Sequence, residues 1–332
     1  MLTSSMNEDL IIYTHASKQF GYGHLHRSFA LAEQARKQGI RATVAPVDVE
    51  TTHIMSAFGI ALPDPFASET VAYIIRDVPV GSPLEVVEKD MAEGKVVLLM
   101  DDSGPARTKA NIVSDAMMTS DRIAALAHSD NVRYLYGFDY CVLKSDVLNY
   151  QAKASPGLGK YTTIVFALGG GFSEDYLSSF LGALNKIQFD GKIEILLTDP
   201  SQKTAALQQY AGNLQATIHV GISEVGRVLS SADIVVTKIG VSMLEAFAVG
   251  LGCFLIEPTD AHHLVGVSLM KAYDNWPAIE TGIYTSSSVD ELATQLIALV
   301  QNRTQLTSFG SAATTLVDGS GGERLINALL ET

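Results

Sequence analysis

The chain has 332 residues, of which 47% are hydrophobic and 18% are charged, a composition typical of a soluble globular protein. This length favours two domains of about 150 residues each over one small core. The formal net charge is −13 and no cluster of lysine and arginine stands out, which argues against nucleic acid or an anionic membrane surface as a partner.

The cysteines and the amino-terminal residues indicate the cellular compartment in which we expect the protein. Cys141 and Cys253 are too few and too far apart for a disulfide framework or a metal-ligand cluster. The first nine residues carry neither a basic region nor an apolar signal core, and no apolar run reaches the roughly 18 residues that cross a bilayer. We therefore expect a cytoplasmic protein without an integral membrane segment, either a monomer or a weak homodimer.

The stretch from residue 20 to residue 27 carries the strongest chemical signal. It follows an apolar run at 10–13 and opens into a helix-forming segment, which predicts a strand, a glycine-containing loop and a helix. Gly21 and Gly23 lack the Cβ atoms that would keep a ligand from the backbone, and the helix start would present N–H groups to an anion. His24 lies at this loop, and an imidazole, which exchanges protons near neutral pH, suits a general base.

Two other interpretations of this stretch have to be weighed. A glycine turn before a helix is common, and His24 as a turn or cap residue is the alternative to a catalytic base. The dinucleotide-binding fingerprint requires a third glycine, whereas His26 and Arg27 follow here, so the pattern disfavours an NAD enzyme and predicts no cofactor.

The rest of the first half alternates strand and helix patterns. Predicted strands at 41–47, 71–75 and 95–100 alternate with predicted helices at 51–58 and 83–92. This alternation predicts a parallel sheet, with ligands bound beyond the carboxyl ends of its strands. His24, Asp77 and the pair Asp101 and Asp102 would lie at that edge. We interpret the adjacent aspartates as loop or cap residues.

A change in composition separates two halves. Residues 149–160 are rich in Ala, Ser, Pro and Gly and form the best linker candidate. A second strand–helix series follows at once, so the predicted domains are 1–148, carrying the His24 loop, and 161–318, with a final helical segment at 319–332.

Two strand–glycine–helix units in the second half are candidate phosphate sites. The first loop contains Gly169, Gly170 and Gly171, and the second contains Gly240 and Ser242. Two helix starts of this kind could hold a diphosphate between them, although tight turns for local reasons are the alternative. Glu245, early in the second helix, could accept hydrogen bonds from ribose hydroxyls. The alternative is that its negative charge only complements the helix dipole.

Several of these stretches resemble one known family. Gly21-Tyr22-Gly23-His24-Leu25-His26-Arg27 resembles the Gly-x-Gly-His-x-x-Arg signature of the UDP-sugar hydrolase of pseudaminic acid biosynthesis and its spore-coat polysaccharide relatives. Further similar stretches follow in the family's order at 74–77, 100–102, 136–144, 168–171, 240–246 and 318–324. The resemblance therefore extends over nearly the whole chain.

The resemblance implies the glycosyltransferase B fold: two Rossmann-like α/β lobes with parallel sheets and a cleft between them. It also implies that the second lobe holds most of the UDP and that the last helix returns to the first lobe. In that family the signature histidine activates water to attack the anomeric carbon, UDP leaves and the configuration inverts. His24 is the position that matches that histidine.

We therefore expect a metal-independent hydrolase that cleaves a nucleotide-diphospho-sugar, a UDP-sugar by resemblance, in surface-glycan or nonulosonic acid type sugar biosynthesis. His24 would be the base, Asp77 would orient it or bind a sugar hydroxyl, and Arg27 would contact the diphosphate or serve as a structural tie. Two alternatives stay open: an inverting glycosyltransferase of the same fold, and a non-catalytic nucleotide-sugar binding subunit. His262 and His263 are interpreted as loop residues. Adjacent side chains point in different directions on a strand or a helix, so we do not expect these two to share a metal.

Overall fold

The structure is a computed structural model that describes residues 9–17, 21–61, 71–79, 81–123, 126–159, 162–169, 174–198, 202–283 and 288–332. The chain divides into two units. Unit 1 comprises Met1–Lys144 together with Gly319–Thr332, and unit 2 comprises Ser145–Asp318.

Unit 1 contains a sheet whose strands alternate along the chain with helices. The strands are β1 (Asp9–Thr14), β2 (Arg41–Pro46), β3 (Val71–Asp77), β4 (Val96–Met100), β5 (Ile112–Asp115) and β6 (Arg133–Tyr136), in the spatial order β2-β1-β3-β4-β5-β6. The helices between them are α1 (Gly23–Lys37), α2 (Val49–Ala57), α3 (Leu84–Ala92) and α4 (Ser120–Ile123). All pairings in this sheet are parallel, so the carboxyl ends of its strands meet at one edge.

Unit 2 repeats this arrangement. Its strands are β7 (Thr163–Ala167), β8 (Lys192–Leu197), β9 (Gln215–Val220), β10 (Ile234–Thr237), β11 (Cys253–Glu257) and β12 (Ala278–Ile283), in the order β12-β11-β10-β7-β8-β9. Its helices are α5 (Ser145–Leu148), α6 (Glu174–Lys186), α7 (Ala205–Asn213), α8 (Val225–Ser230), α9 (Val241–Val249), α10 (Asp260–Ala272), α11 (Val289–Gln301) and α12 (Arg303–Leu316). The pairings are again parallel.

Burial on both faces explains the sequence of the central strands in unit 2. Strands β7, β10 and β11 are buried at every position and read as continuous apolar runs, the pattern of parallel strands covered on both sides. Helix α11 instead buries a stripe, with Leu292, Leu296 and Leu299 one turn apart against the core, and exposes its other face.

The chain ends on helix α13 (Gly321–Leu330), which lies in unit 1. Its apolar face, which includes Leu325 and Leu329, packs in one cluster with Leu31 of α1. Glycine is required where this helix begins, because a Cβ atom at Gly321 would lie 2.2 Å from the carbonyl oxygen of Cys141.

The segment predicted as a linker lies in unit 2 and bonds to the end of α9. The backbone N–H of Ala152 donates to the carbonyl of Ala248 at 2.9 Å, and that of Ala154 donates to the carbonyl of Val249 at 3.0 Å.

Over the ranges that the structure describes, no helix is both long and apolar enough to cross a bilayer.

Candidate functional site

The loop before α1 places His24 in the first turn of that helix. Gly21 adopts φ +78°, which residues with a Cβ rarely adopt, and its N–H donates to the carbonyl of Ser17 at 2.8 Å. Turn geometry therefore accounts for this glycine, and a role for Gly21 and Gly23 in ligand binding stays a prediction. Helix α1 begins at Gly23 without a side-chain cap from Tyr22.

His24 is held by a fully buried carboxylate. Asp77 is the last residue of β3, and its pairing with Thr14 of β1 and Met100 of β4 places it at the carboxyl edge of the sheet. Its Oδ1 lies 2.7 Å from Nδ1 of His24, whose side chain is 16% exposed while that of Asp77 is wholly buried. The structure thus places Asp77 against His24, and its role in orienting His24 or binding a sugar hydroxyl stays a prediction.

Arg27 completes the cluster from one turn further along α1. Its Nε donates to Asp77 Oδ2 at 2.6 Å and its Nη2 donates to Asp77 Oδ1, so the guanidinium and the carboxylate form a two-point ion pair. Burial alone would raise the pKa of the Asp77 carboxyl, but the charges of Arg27 and His24 outweigh it and hold that pKa well below its usual range. Asp77 is therefore ionised at neutral pH.

The hydrogen bond with Asp77 selects the tautomer of His24. Nδ1 lies 2.7 Å from Asp77 Oδ1 and 2.9 Å from Arg27 Nη2, and a neutral imidazole can satisfy only one of these contacts. An ionised carboxylate cannot donate, so a lone pair on Nδ1 would face a lone pair on Oδ1 at the shorter distance. We infer that Nδ1 carries the proton and donates to Asp77, which leaves the lone pair on Nε2.

His26, the second histidine of the stretch, has different surroundings. Burial, and then the charge of Lys144, lowers the pKa of His26 to about 4, so this imidazole is neutral at physiological pH and a weak base. The histidine with a carboxylate partner in this segment is His24.

The two aspartates after β4 have separate roles. Asp102 is a loop residue, as predicted: its carboxylate accepts the N–H groups of Ser82 at 2.6 Å and Gly104 at 2.8 Å. Asp101 instead forms an ion pair with Arg27, whose Nη1 lies 2.5 Å from Asp101 Oδ2. The sequence showed both residues at the strand end, but the adjacency of Arg27 and Asp101 emerges only from the folded sheet.

In unit 2 the two strands that precede the glycine loops lie side by side. The loops follow β7 and β10, which are paired strands, and the hydroxyl of Thr237 at the end of β10 donates to the carbonyl of Ala167 at 2.7 Å. Gly169 adopts φ +72° and Gly240 adopts φ +155°, conformations that favour glycine. Among the residues that the structure describes, a Cβ atom at either position would have no neighbour within 4 Å. Gly170 and Gly171 lie outside the described residues.

Helix α9 carries the other predicted residues of unit 2. Ser242 is half-buried in its first turn, and Glu245, one turn on, is buried. Lys238, which the sequence analysis did not single out, directly follows β10 in the same loop. Burial lowers the pKa of the Lys238 ammonium group. A lysine directly after a predicted strand and two residues before Gly240 is the sequence signal for this position.

His262 and His263 lie on α10, so interpreting them as loop residues was wrong. Thr259 caps this helix and its Oγ1 lies 2.7 Å from Nδ1 of His262. Nδ1 of His263 lies 2.8 Å from Oε2 of the wholly buried Glu257. The two side chains have separate partners.

Known proteins similar to this chain are mostly distant in sequence. No protein-family model matches it. An uncharacterized protein of Methanocaldococcus jannaschii is 23% identical over 262 residues, which are 73% of this chain and 54% of that protein. The chain thus spans about half the length of this curated relative.

Solved structures match almost the whole chain. MurG of Acinetobacter baumannii matches with a TM-score of 0.66 at 13% identity, over 98% of this chain and 100% of its own. A UDP-glucosyltransferase from Polygonum tinctorium matches at 0.59 and 10% identity, over 99% and 100%. UDP-GlcNAc 2-epimerase from Neisseria meningitidis, bound to UDP-GlcNAc, matches at 0.58 and 11% identity, over 98% and 100%. The chain has the glycosyltransferase B fold.

This outcome confirms the fold class that the resemblance implied, two Rossmann-like units with parallel sheets. These comparisons do not support the narrower resemblance to the pseudaminic acid hydrolase.

Within the glycosyltransferase B fold, the structure brings His24, Arg27 and Asp77 into one cluster in unit 1. It places Gly169, Gly240 and Ser242 at one sheet edge of unit 2. Within the described ranges, no group of three or more His, Cys, Asp or Glu side chains is placed to hold a metal ion.

A pair of glutamates in unit 2 makes stability depend on pH. Burial, followed by the hydrogen bond and charge of Glu257, raises the pKa of the Glu280 carboxyl from 4.5 to about 8. The folded state therefore binds this proton more tightly than the unfolded chain does. The stabilisation is complete below 4.5 and is lost as the pH rises through about 8.

We expect Glu280→Gln to flatten this decline, because a neutral amide keeps a polar group between Trp276 and Glu257 without a proton to lose. The measurement is the melting temperature of both proteins at about pH 5 and about pH 9. Glu291→Gln, which changes an exposed carboxylate on α11, is the control and should follow the native protein. Equal declines in all three proteins would contradict a raised pKa of Glu280 as the cause of the pH dependence.

Proposed function

We propose that this chain hydrolyses a nucleotide-diphospho-sugar at its anomeric carbon, with inversion, and that the nucleotide is UDP. The observation that carries the proposal is the buried Asp77 carboxylate, whose Oδ1 lies 2.7 Å from Nδ1 of His24. With the proton on Nδ1, as inferred above, Nε2 is the basic nitrogen. The UDP substrates named for two similar structures, and the signature at 21–27, support the substrate class. A place in surface-glycan or nonulosonic acid type sugar biosynthesis belongs to the same proposal.

The chemistry needs one base and a stabilised leaving group. Nε2 of His24 takes a proton from water as the water oxygen bonds to the anomeric carbon. The bond from that carbon to the diphosphate oxygen breaks, and its electron pair leaves with UDP. The negative charge of UDP is stabilised by the amino-terminal end of α9, by the open backbone at Gly240 and by the Lys238 ammonium.

This charge stabilisation uses protein groups, and we therefore expect turnover to be insensitive to EDTA. The measurement compares initial rates before and after dialysis against the chelator, and after readdition of Mg²⁺ or Mn²⁺. A rate that falls with EDTA and recovers with either ion would overturn the metal-independent mechanism.

A glycosyltransferase is the second candidate, and the match to a UDP-glucosyltransferase over 99% of the chain favours it. In that reaction His24 would deprotonate an acceptor hydroxyl in place of water. The two activities share the base and the leaving group, so they differ only in the nucleophile.

The deciding experiment measures UDP release from a panel of UDP-sugars, with and without sugar and polyprenyl-phosphate acceptors. Hydrolysis predicts release without an acceptor at a rate that acceptors do not raise. Release that depends on an acceptor would establish the transferase. Binding of a UDP-sugar without release under any condition would favour the non-catalytic subunit.

Glu245 tests the nucleotide site. Because Glu245 is buried, we choose Glu245→Gln, which keeps the size of the side chain and removes its charge. If the carboxylate accepts hydrogen bonds from ribose hydroxyls, removing its charge should weaken UDP binding by about 1.5 kcal/mol, or roughly tenfold in affinity. Calorimetry measures this affinity. Glu224→Gln, an exposed change in the same unit, is the control. Unchanged UDP affinity would leave Glu245 as a helix-dipole residue.

A further inference from the structure

Arg27 lies between two carboxylates. Its Nε and Nη2 bind Asp77, and its Nη1 lies 2.5 Å from Asp101 Oδ2. Asp77 is wholly buried, Arg27 is 8% exposed and the Asp101 side chain is 27% exposed. Burial would lower the pKa of the Arg27 guanidinium, but the charges of Asp101 and Asp77 raise it above its ordinary value.

This arrangement poses an electrostatic problem for a catalytic histidine. A carboxylate partner helps a histidine base because its negative charge stabilises the imidazolium that forms on proton uptake. Arg27 neutralises Asp77, and its own Nη2 lies 2.9 Å from Nδ1 of His24, where it opposes that imidazolium. With Arg27 and Asp77 alone, His24 would face a neutral pair. Asp101 adds a second negative charge and returns the cluster to a net charge of −1.

The backbone of Asp101 is set for this contact. Asp101 follows directly after β4 and adopts φ +52°, in the left-handed region that residues other than glycine seldom occupy. Its N–H donates to the carbonyl of Ser114 on the neighbouring strand at 2.9 Å, which fixes the turn. The carboxylate is thereby turned onto Arg27.

Other titratable groups surround the cluster from the elements packed around it. Asp115 ends β5 and accepts the N–H of Met117, and burial followed by the charge of Asp101 raises the pKa of Asp115 to about 6. The charge of Arg122 on α4 also acts on Asp115, and the backbone N–H of His15 after β1 donates to the carbonyl of Asp77 at 3.3 Å. Among these residues, the charge joined directly to Arg27 by an ion pair is that of Asp101.

We propose that Asp101 is a positioning residue for His24: by pairing with Arg27 it restores the net negative charge that makes His24 a base. This inference rests on the proposed role of His24. It assigns Asp101 no contact with the substrate, since it acts through Arg27.

The test follows the imidazole of His24 directly by NMR, with its signal assigned from its absence in His24→Gln. Asp101→Asn and Asp101→Gly are the variants, because both residues tolerate a positive φ and should keep the turn. In both variants we expect the midpoint of the His24 titration to move to lower pH by about one unit. Glu33→Gln, which removes a half-exposed carboxylate from the same helix, should leave the midpoint in place.

Activity gives a second readout in the same proteins. With a UDP-sugar that the native protein hydrolyses, kcat should be about 3–10-fold lower in both variants, and KM should be nearly unchanged. The ascending limb of their pH–rate profiles should shift to lower pH. A raised KM with an unmoved His24 titration would make Asp101 a substrate ligand and overturn the proposal. The titration is measurable even if no UDP-sugar is turned over, so failure of the proposed function is told apart from failure of this inference.

Discussion

Replacing His24 with alanine is expected to lower kcat by about 10²–10⁴-fold, the usual contribution of a general base. UDP affinity should change little, because the glycine loops that we propose for UDP lie in unit 2 and His24 lies in unit 1. The ascending limb of the native pH–rate profile should be absent from the residual activity of the variant. Steady-state kinetics and calorimetry with UDP provide the two measurements.

The control for this variant is His53→Ala, which removes an exposed imidazole on α2 and should match the native enzyme. The melting temperature of His24→Ala shows whether the fold is intact. A folded His24→Ala protein with native kcat would make His24 a turn residue, and the mechanism proposed above would be wrong.

Asp77→Asn should produce the largest combined loss of stability and activity. Asp77 is buried and accepts hydrogen bonds from Arg27, His24 and Ser28, so neutralising it leaves the Arg27 charge with one fewer partner. Breaking a buried ion pair costs about 3–5 kcal/mol of unfolding free energy. An amide can also donate to Nδ1, which moves the proton of His24 to Nε2 and removes the base. The analogous change in a serine-protease triad lowers kcat about 10⁴-fold.

A second buried ion pair in unit 1 separates these two effects. Arg76 Nη2 lies 2.6 Å from Asp90 Oδ2, and both side chains are almost fully buried. Asp90→Asn should therefore destabilise the protein by a comparable amount, measured by denaturant unfolding, without lowering kcat at a temperature where it stays folded. Equal losses of kcat in the two variants would show that the activity of Asp77→Asn reports only on stability.

Much of the fold could be predicted from periodicity, because its central strands are apolar and separated by helical patterns. The strands predicted at 41–47, 71–75 and 95–100 correspond to β2, β3 and β4, with bounds that differ by one or two residues. The short strands β5 and β6, four residues each, lack a long enough pattern to identify. Helix α12 is hard to identify from sequence because its Ser, Thr, Gly and Ala residues give a weak apolar stripe. Its small residues serve packing: a Cβ atom at Gly310 would lie 2.6 Å from the carbonyl oxygen of Gly250.

The candidate site was predictable in part. His24 and Arg27 share one helical face at a spacing of three residues, and the end of β3 could be placed at the same sheet edge. The ion pair between Arg27 and Asp101 joins residues that are 74 positions apart, and it depends on strand order and on a left-handed turn that no local pattern in the sequence indicates. Long-range electrostatic partners of this kind require the folded sheet.

The most direct test of the central claim is hydrolysis in oxygen-18 water of the UDP-sugar that the release assay identifies. Mass spectrometry of both products locates the oxygen atom that water supplied. Attack at the anomeric carbon predicts oxygen-18 in the released sugar and none in UDP. Oxygen-18 in the phosphate of UDP would mean that water attacks phosphorus, and it would contradict the mechanism.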